Sequence, residues 1–97
     1  MYLIREIFHT KPGKAKELVK KFKQTKPFME KAGFKEFKIM TDIATTYWTV
    51  VLESEVEDLG AFAKEIRSET SQPEMEKIMK GYMDLVEGGK REIYLIE

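Results

Sequence analysis

His9 is the one side chain in this sequence whose ordinary charge change falls near neutral pH, which makes it the first candidate for moving a proton. It ends an apolar run directly before Thr10-Lys11-Pro12-Gly13, where an ordinary half-buried surface role is commoner than a catalytic one. Trp48 offers a flat ring on which an aromatic ligand could stack, although a tryptophan within a strand more often belongs to a core or an interface. Arg5 and Glu6 place opposite charges in an otherwise apolar segment. Successive strand residues point to opposite faces, so the two cannot pair with each other and each needs a partner elsewhere. A salt bridge or a polar group lining a barrel is the commoner outcome for such charges. Met75, Met79 and Met83 recur at helical spacing, which suits an adaptable apolar pocket and, more commonly, plain core packing. Tyr82, in the same segment, adds a hydroxyl that could orient a ligand.

Several chemistries are excluded outright. Without cysteine there is no disulfide, no thiolate nucleophile and no sulfur ligand for a metal. No pairing of histidine and carboxylates has metal-ligand spacing, no glycine-rich loop suits a nucleotide, and Ser54, Ser68 and Ser71 have neither a nucleophile elbow nor a nearby histidine. The expectation is therefore a protein with no metal and no cofactor. Lys and Arg together number 17 and so do Asp and Glu, which leaves no net field to gather nucleic acid or an anionic membrane. The lysines between Lys11 and Lys38 fall on the polar side of a helix, and Tyr47-Trp48-Thr49-Val50-Val51 lacks the basic-glycine-aromatic signature of an RNA-binding sheet. The chain opens on Met1-Tyr2-Leu3-Ile4-Arg5 with no apolar leader core, and no later apolar run is long enough to span a bilayer, so the cytoplasm is the expected address.

The elements that must position these residues follow from the hydrophobic pattern. At 97 residues, 42% hydrophobic and 35% charged, the whole of 1–97 is expected to be one domain with a single core. Tyr2 to His9 reads as a strand that stops at the Pro-Gly turn. Ala15, Leu18, Val19 and Phe22 then follow the spacing of an amphipathic helix, with a kink expected at Pro27 and a cap at Gly33. Phe34 to Met40 and Tyr47 to Leu52 read as two strands of a hairpin. Ser54 and Glu57 have capping-box spacing for a second helix through Leu59, Phe62, Ala63 and Ile66. Ser71, Pro73 and Glu74 restart it along Met75, Ile78, Met79, Tyr82, Leu85 and Val86 until Gly88-Gly89, and Ile93 to Ile96 is a last short strand. The order predicts an α+β, ferredoxin-like βαββαβ fold with an antiparallel sheet, helices on one face, and a broken second helix.

A sheet with one face under helices and the other in water should alternate cleanly between apolar and polar residues. Here both faces carry apolar side chains: Leu3 and Ile7 oppose Tyr2, Ile4 and Phe8; Tyr47, Thr49 and Val51 oppose Trp48, Val50 and Leu52; Tyr94 and Ile96 oppose Ile93 and Leu95. Helices can cover only one of them, so the other is expected to close against a second copy of the chain.

With these residues in hand, the chain resembles the dimeric α/β-barrel superfamily, in particular its NIPSNAP-like and antibiotic-biosynthesis-monooxygenase-like small proteins. Arg5-Glu6-Ile7-Phe8 with Lys11-Pro12-Gly13-Lys14, then Ala32-Gly33-Phe34, then Tyr47-Trp48 carry the resemblance, which runs over nearly the whole chain in order and spacing. It implies a homodimer paired through its sheet faces and a cleft between sheet and helices that holds a small apolar or aromatic compound. The reaction class it implies is a cofactor-independent monooxygenase or an isomerase; the competing reading is a non-enzymatic structural or regulatory oligomerisation module. Oxygenase and haem-degrading members of the superfamily use an Asn, a His and a Trp about the cleft, yet this sequence has no Asn and its only His is on the first strand. Near the break in the second helical segment, where related proteins place their histidine, this chain reads Glu65-Ile66-Arg67-Ser68-Glu69-Thr70-Ser71. The resemblance thus implies Arg67 or Glu65 at that point, and His9, Trp48, Arg67 and Tyr82 as the ligand-pocket candidates.

Overall fold

The computed structural model describes residues 1–66 and 73–97. Its first strand, β1 (Tyr2–Thr10), lies second from one edge of a four-stranded sheet and is hydrogen-bonded on both sides. The antiparallel neighbours are β3 (Thr49–Val56) and β4 (Val86–Leu95), and β2 (Lys35–Thr41) pairs with β3 to complete the order β2-β3-β1-β4. This is the α+β, ferredoxin-like arrangement that the element order predicts.

The helices follow from local rules. Leu18 and Phe22, one turn apart on α1 (Ala15–Lys31), are both buried, and the Phe22 ring meets Phe8 of β1 at 5.2 Å between centroids. Pro27 sits inside α1 and removes one rung of its ladder, but the helix continues for four more residues rather than ending there. It stops in a Schellman motif. Gly33, at φ +103°, lets its own N–H reach the Glu30 carbonyl at 3.1 Å and the Phe34 N–H reach the Met29 carbonyl at 3.1 Å, while Met29 packs on the cluster that contains Phe34.

Phe34 and Phe37 are both buried on the helix side of the sheet, which an unbroken strand of period two forbids for residues three apart. The register shift between Lys35 and Lys38, with Glu36 in the left-handed region at φ +52°, supplies the missing residue as a β-bulge.

Four expectations give way. The third strand begins at Thr49 rather than Tyr47, because Asp42 draws the chain into a longer loop: its carboxylate accepts the Thr49 N–H at 2.9 Å, and its own N–H donates to the Thr49 carbonyl at 3.2 Å. Trp48 therefore lies in that loop, with φ +60°, and not in mid-strand. Ser54 is no helix cap; it is buried within β3 opposite Ile4. Asp58 starts the next helix, α2 (Leu59–Ile66), by accepting the Gly60 N–H on its side chain at 2.8 Å and the Phe62 N–H on its carbonyl at 3.2 Å. The proposed Ser71 cap lies outside the described residues, and α3 (Pro73–Met79) opens on Pro73 at its first position.

The fourth correction matters most for the site. α3 does not run on to Gly88-Gly89; it ends at Met79, where the Lys21 ammonium of α1 donates to the Ile78 and Lys80 carbonyls at 3.1 and 2.9 Å. Gly81 at φ +83° then leads into a 3₁₀ turn over Tyr82–Asp84, and β4 starts at Val86, making it ten residues long instead of four. The two glycines are strand residues. Gly89 opposes Phe8, and a β-carbon there would stand 2.0 Å from the Ile7 carbonyl oxygen, so only glycine lets β4 lie this close to β1.

The helix-facing side of the sheet carries two packed clusters, one around Ile4, Phe34, Phe37, Val56 and Phe62 and one around Leu18, Phe22, Val50 and Leu85. Among the described residues no helix is long and apolar enough to cross a membrane, and no group of three His, Cys, Asp or Glu side chains is placed to hold a metal ion.

Gly89→Ala is expected to lower unfolding stability in urea by about 2 kcal/mol or more, since it forces a backbone collision. Gly88→Ala, whose β-carbon meets nothing within 4 Å, is expected to stay within about 0.5 kcal/mol of the parent, and equal losses for the two would refute the close approach.

Candidate functional site

The two core clusters do not fill the whole space between sheet and helices. A cavity of about 310 Å³ remains between them, floored by Ile4, Glu6, Phe8, Leu52 and Ser54 of the sheet and roofed by side chains of all three helices. Five phenylalanines face it, Phe8, Phe22, Phe34, Phe37 and Phe62, together with the thioethers of Met29, Met75 and Met79 and the ring of Tyr82. The volume lies at the small end of ligand sites, and an apolar wall with a few convergent polar groups is what such sites share.

The polar groups come from the pairing of β1 with β4. Glu6 and Arg91 are direct register partners on the helix side, and the Arg91 Nε–H donates to Glu6 Oε1. The Arg91 guanidinium also lies 5.6 Å from the centroid of Phe62, near enough for attraction to the ring face. With side-chain exposures of 20% for Glu6 and 42% for Arg91, the pair borders the cavity yet keeps contact with water. Glu76 of α3 brings a further carboxylate to the lining.

Arg5, one residue away from Glu6, points to the other side of the sheet, as strand alternation requires. Its Nη2 donates to Glu53 Oε2 at 2.9 Å, its Nε to the same oxygen at 3.2 Å, and its Nη1 lies 3.7 Å from Glu92 Oε1, so one guanidinium ties three strands together. The Glu53 hydrogen bond, opposed by partial desolvation and helped by the charges of Glu53 and Glu92, holds Arg5 above its ordinary value. Around this ladder the open face carries Leu3, Ile7, Met40, Val51, Tyr94 and Ile96, all half-buried or exposed.

The four sequence candidates are not gathered together. Tyr82 lines the cavity. His9 does not: it lies on the open face, its Nδ1 3.3 Å from Thr49 Oγ1. Trp48, in its loop, uses its carbonyl to accept the Thr10 N–H and hydroxyl at 2.9 and 3.2 Å, and its half-exposed ring is not part of the cavity lining. Arg67 lies outside the described residues. Of the methionines, Met75 and Met79 line the cavity, whereas Met83, 74% exposed, does not. Glu6 is marked in the sequence by its charge and its need for a partner; Arg91 is not, because Gly88-Gly89 has the pattern of a helix end, which keeps the residues after it out of the predicted strand.

No family model matches the chain, and no curated protein does. Solved structures do, at the level of the fold. An uncharacterised NIPSNAP domain protein from Burkholderia xenovorans superposes with a TM-score of 0.79 at 13% identity, over 100% of this chain and 95% of that one. A candidate antibiotic biosynthesis monooxygenase from Chloroflexus aurantiacus gives 0.76 at 10% identity, over 99% and 92%. A second, NIPSNAP-like domain protein from Burkholderia xenovorans gives 0.73 at 20% identity, over 99% and 84%. The expected likeness to these two groups is therefore present as a shared fold.

A double-mutant cycle on Glu6→Gln and Arg91→Met is expected to return a coupling of about 1 kcal/mol or less in urea unfolding, because the pair is partly solvated. A coupling of about 3 kcal/mol or more would instead indicate a pair shut away from water.

Proposed function

We propose that this chain, residues 1–97, is a single α/β-barrel domain that works as a homodimer, binds a small apolar or aromatic compound in the cavity between sheet and helices, and acts on it without a cofactor. The observation that carries the reading is the cavity itself: about 310 Å³ of space walled by phenylalanine and methionine, with one ion pair on its floor. Apolar area removed from water supplies affinity at about 25 cal/mol per Å², and the polar pair orients whatever hydroxyl or carbonyl the compound carries. A non-enzymatic oligomerisation module has no use for such space and would be expected to fill it with side chains. The fold's likeness to a candidate antibiotic biosynthesis monooxygenase supports a monooxygenase as one class of activity; an isomerase is the other class in this proposal, which places the protein in the cytoplasm.

The dimer rests on the open sheet face. Its apolar residues need cover, and its central cation is already paired: Arg5 carries Glu53 and Glu92 with it, which lowers the cost of bringing two such faces together. Apposition of two sheets in this way leaves each cavity on the outer, helical side, where a ligand can enter.

Binding is tested with the fluorescent apolar probe N-phenyl-1-naphthylamine. Met79→Trp, which fills the cavity from α3, is expected to weaken probe binding at least tenfold while the circular dichroism spectrum stays unchanged; equal affinity in both proteins would sink the cavity as the binding site. For the dimer, Val51→Asp or Tyr94→Asp is expected to shift the sedimenting species towards the monomer at concentrations where Lys20→Asp leaves it dimeric. Identical masses for all three variants would count against the open face as the interface.

A further inference from the structure

The Glu6–Arg91 pair has spare capacity on both of its members. Arg91 engages Glu6 through Nε alone, and among the described residues its two Nη groups make no hydrogen bond. Glu6 accepts on Oε1 and keeps Oε2 open. Both side chains come from adjacent, hydrogen-bonded strands of the sheet, and both border the same apolar cavity. A carboxylate oxygen that can take a proton therefore stands beside N–H groups that can stabilise an oxyanion, in surroundings drier than bulk water.

We infer that this pair is a proton-transfer site for carbonyl compounds, so that the compound held in the cavity is one with an acidic C–H next to a C=O. Glu6 Oε2 takes that proton, the C–H electron pair becomes the C=C bond of an enolate, and the C=O π pair moves onto oxygen, where an Arg91 Nη–H donates to it. Return of the proton from Glu6 to the same carbon regenerates the starting compound. Return to the far carbon of a conjugated enolate gives the isomer with its double bond moved. Proton and electrons balance within the pair and the substrate, with no oxidant, metal or cofactor taking part. Arg91, fixed by Glu6 on one edge and by the Phe62 ring on its face, is held where the oxygen develops charge. The inference rests on the cavity being a small-molecule site, and of the two reaction classes that reading leaves open it selects isomerisation.

The test is proton exchange of 2-tetralone, an apolar aromatic ketone, followed by ¹H NMR in D₂O, with its dissociation constant measured on the same samples. Wild-type protein is expected to accelerate loss of the C1 proton signal by about 10²-fold or more over buffer, the usual scale for a positioned general base. Glu6→Gln is expected to return the rate to that of buffer while binding stays within about threefold, and Glu6→Asp, which keeps the charge but withdraws the oxygen, to lose about tenfold or more in rate. Glu17→Gln on the exposed side of α1 is the control that leaves the rate unchanged. Binding without acceleration, or acceleration that survives in Glu6→Gln, overturns this inference and leaves the cavity reading intact. Failure of 2-tetralone to bind at all overturns both.

Discussion

β4 can lie against β1 only because Gly89 has no side chain, and much of what is distinctive in the molecule depends on that approach. With the Ile7 carbonyl oxygen 2.0 Å from where a β-carbon would be, the two backbones are locked in one register. That register sets Arg91 opposite Glu6 on the helix side and Glu92 opposite Arg5 on the other. A slip of one residue would send Arg91 through the sheet and leave the Glu6 carboxylate facing five phenylalanines without a cation. The same pairing carries the chain from the 3₁₀ turn back under the helices, which fixes Tyr82 at the edge of the cavity.

The sheet thus keeps two separate electrostatic arrangements a few ångströms apart. On one face, Arg5 is paired with carboxylates from both neighbouring strands; on the other, Glu6 and Arg91 satisfy each other only in part. The difference is one of stoichiometry. Two acids on one guanidinium suit a face whose charges must be carried passively, whereas one acid and one guanidinium with unused groups suit a face that meets a ligand. Alternation along β1 is what allows adjacent residues in the sequence to belong to these two arrangements without mixing them.

Much of the fold was legible in the sequence because the signals were local and mutually consistent. The α1 stripe of Leu18 and Phe22, the Gly33 stop and the opposite facing of Arg5 and Glu6 each depend on a few neighbouring residues, and each holds. Where long-range pairing decides, the reading failed. Ser54 has the spacing of a helix cap, but its partner across the sheet is Ile4, and burial there outweighs a capping bond. Gly88-Gly89 is a good helix stop on local grounds; only the proximity of Ile7 reveals why glycine is required in a strand. Phe34 and Phe37 face one core through a bulge that no turn signature announces. The candidate site suffered in proportion, since half of its ion pair lay beyond a misread glycine, while His9 and Trp48 drew notice by residue type and lie elsewhere.

The bulge at Glu36 also makes the two borders of the sheet unequal. β2 presents a border interrupted by a left-handed residue and flanked by Lys35 and Lys38, which cannot template an added strand in regular register. β4, past an irregularity at Glu87, presents a regular outer edge over residues 88–95, with no strand beyond it among the described residues. A chain with two receptive edges can polymerise without limit; a chain with one can recruit a single neighbour and then has nothing further to offer. Lateral growth of this sheet is therefore self-terminating, and the misaligned residue that brings two phenylalanines into the core also guards the protein against becoming a fibre.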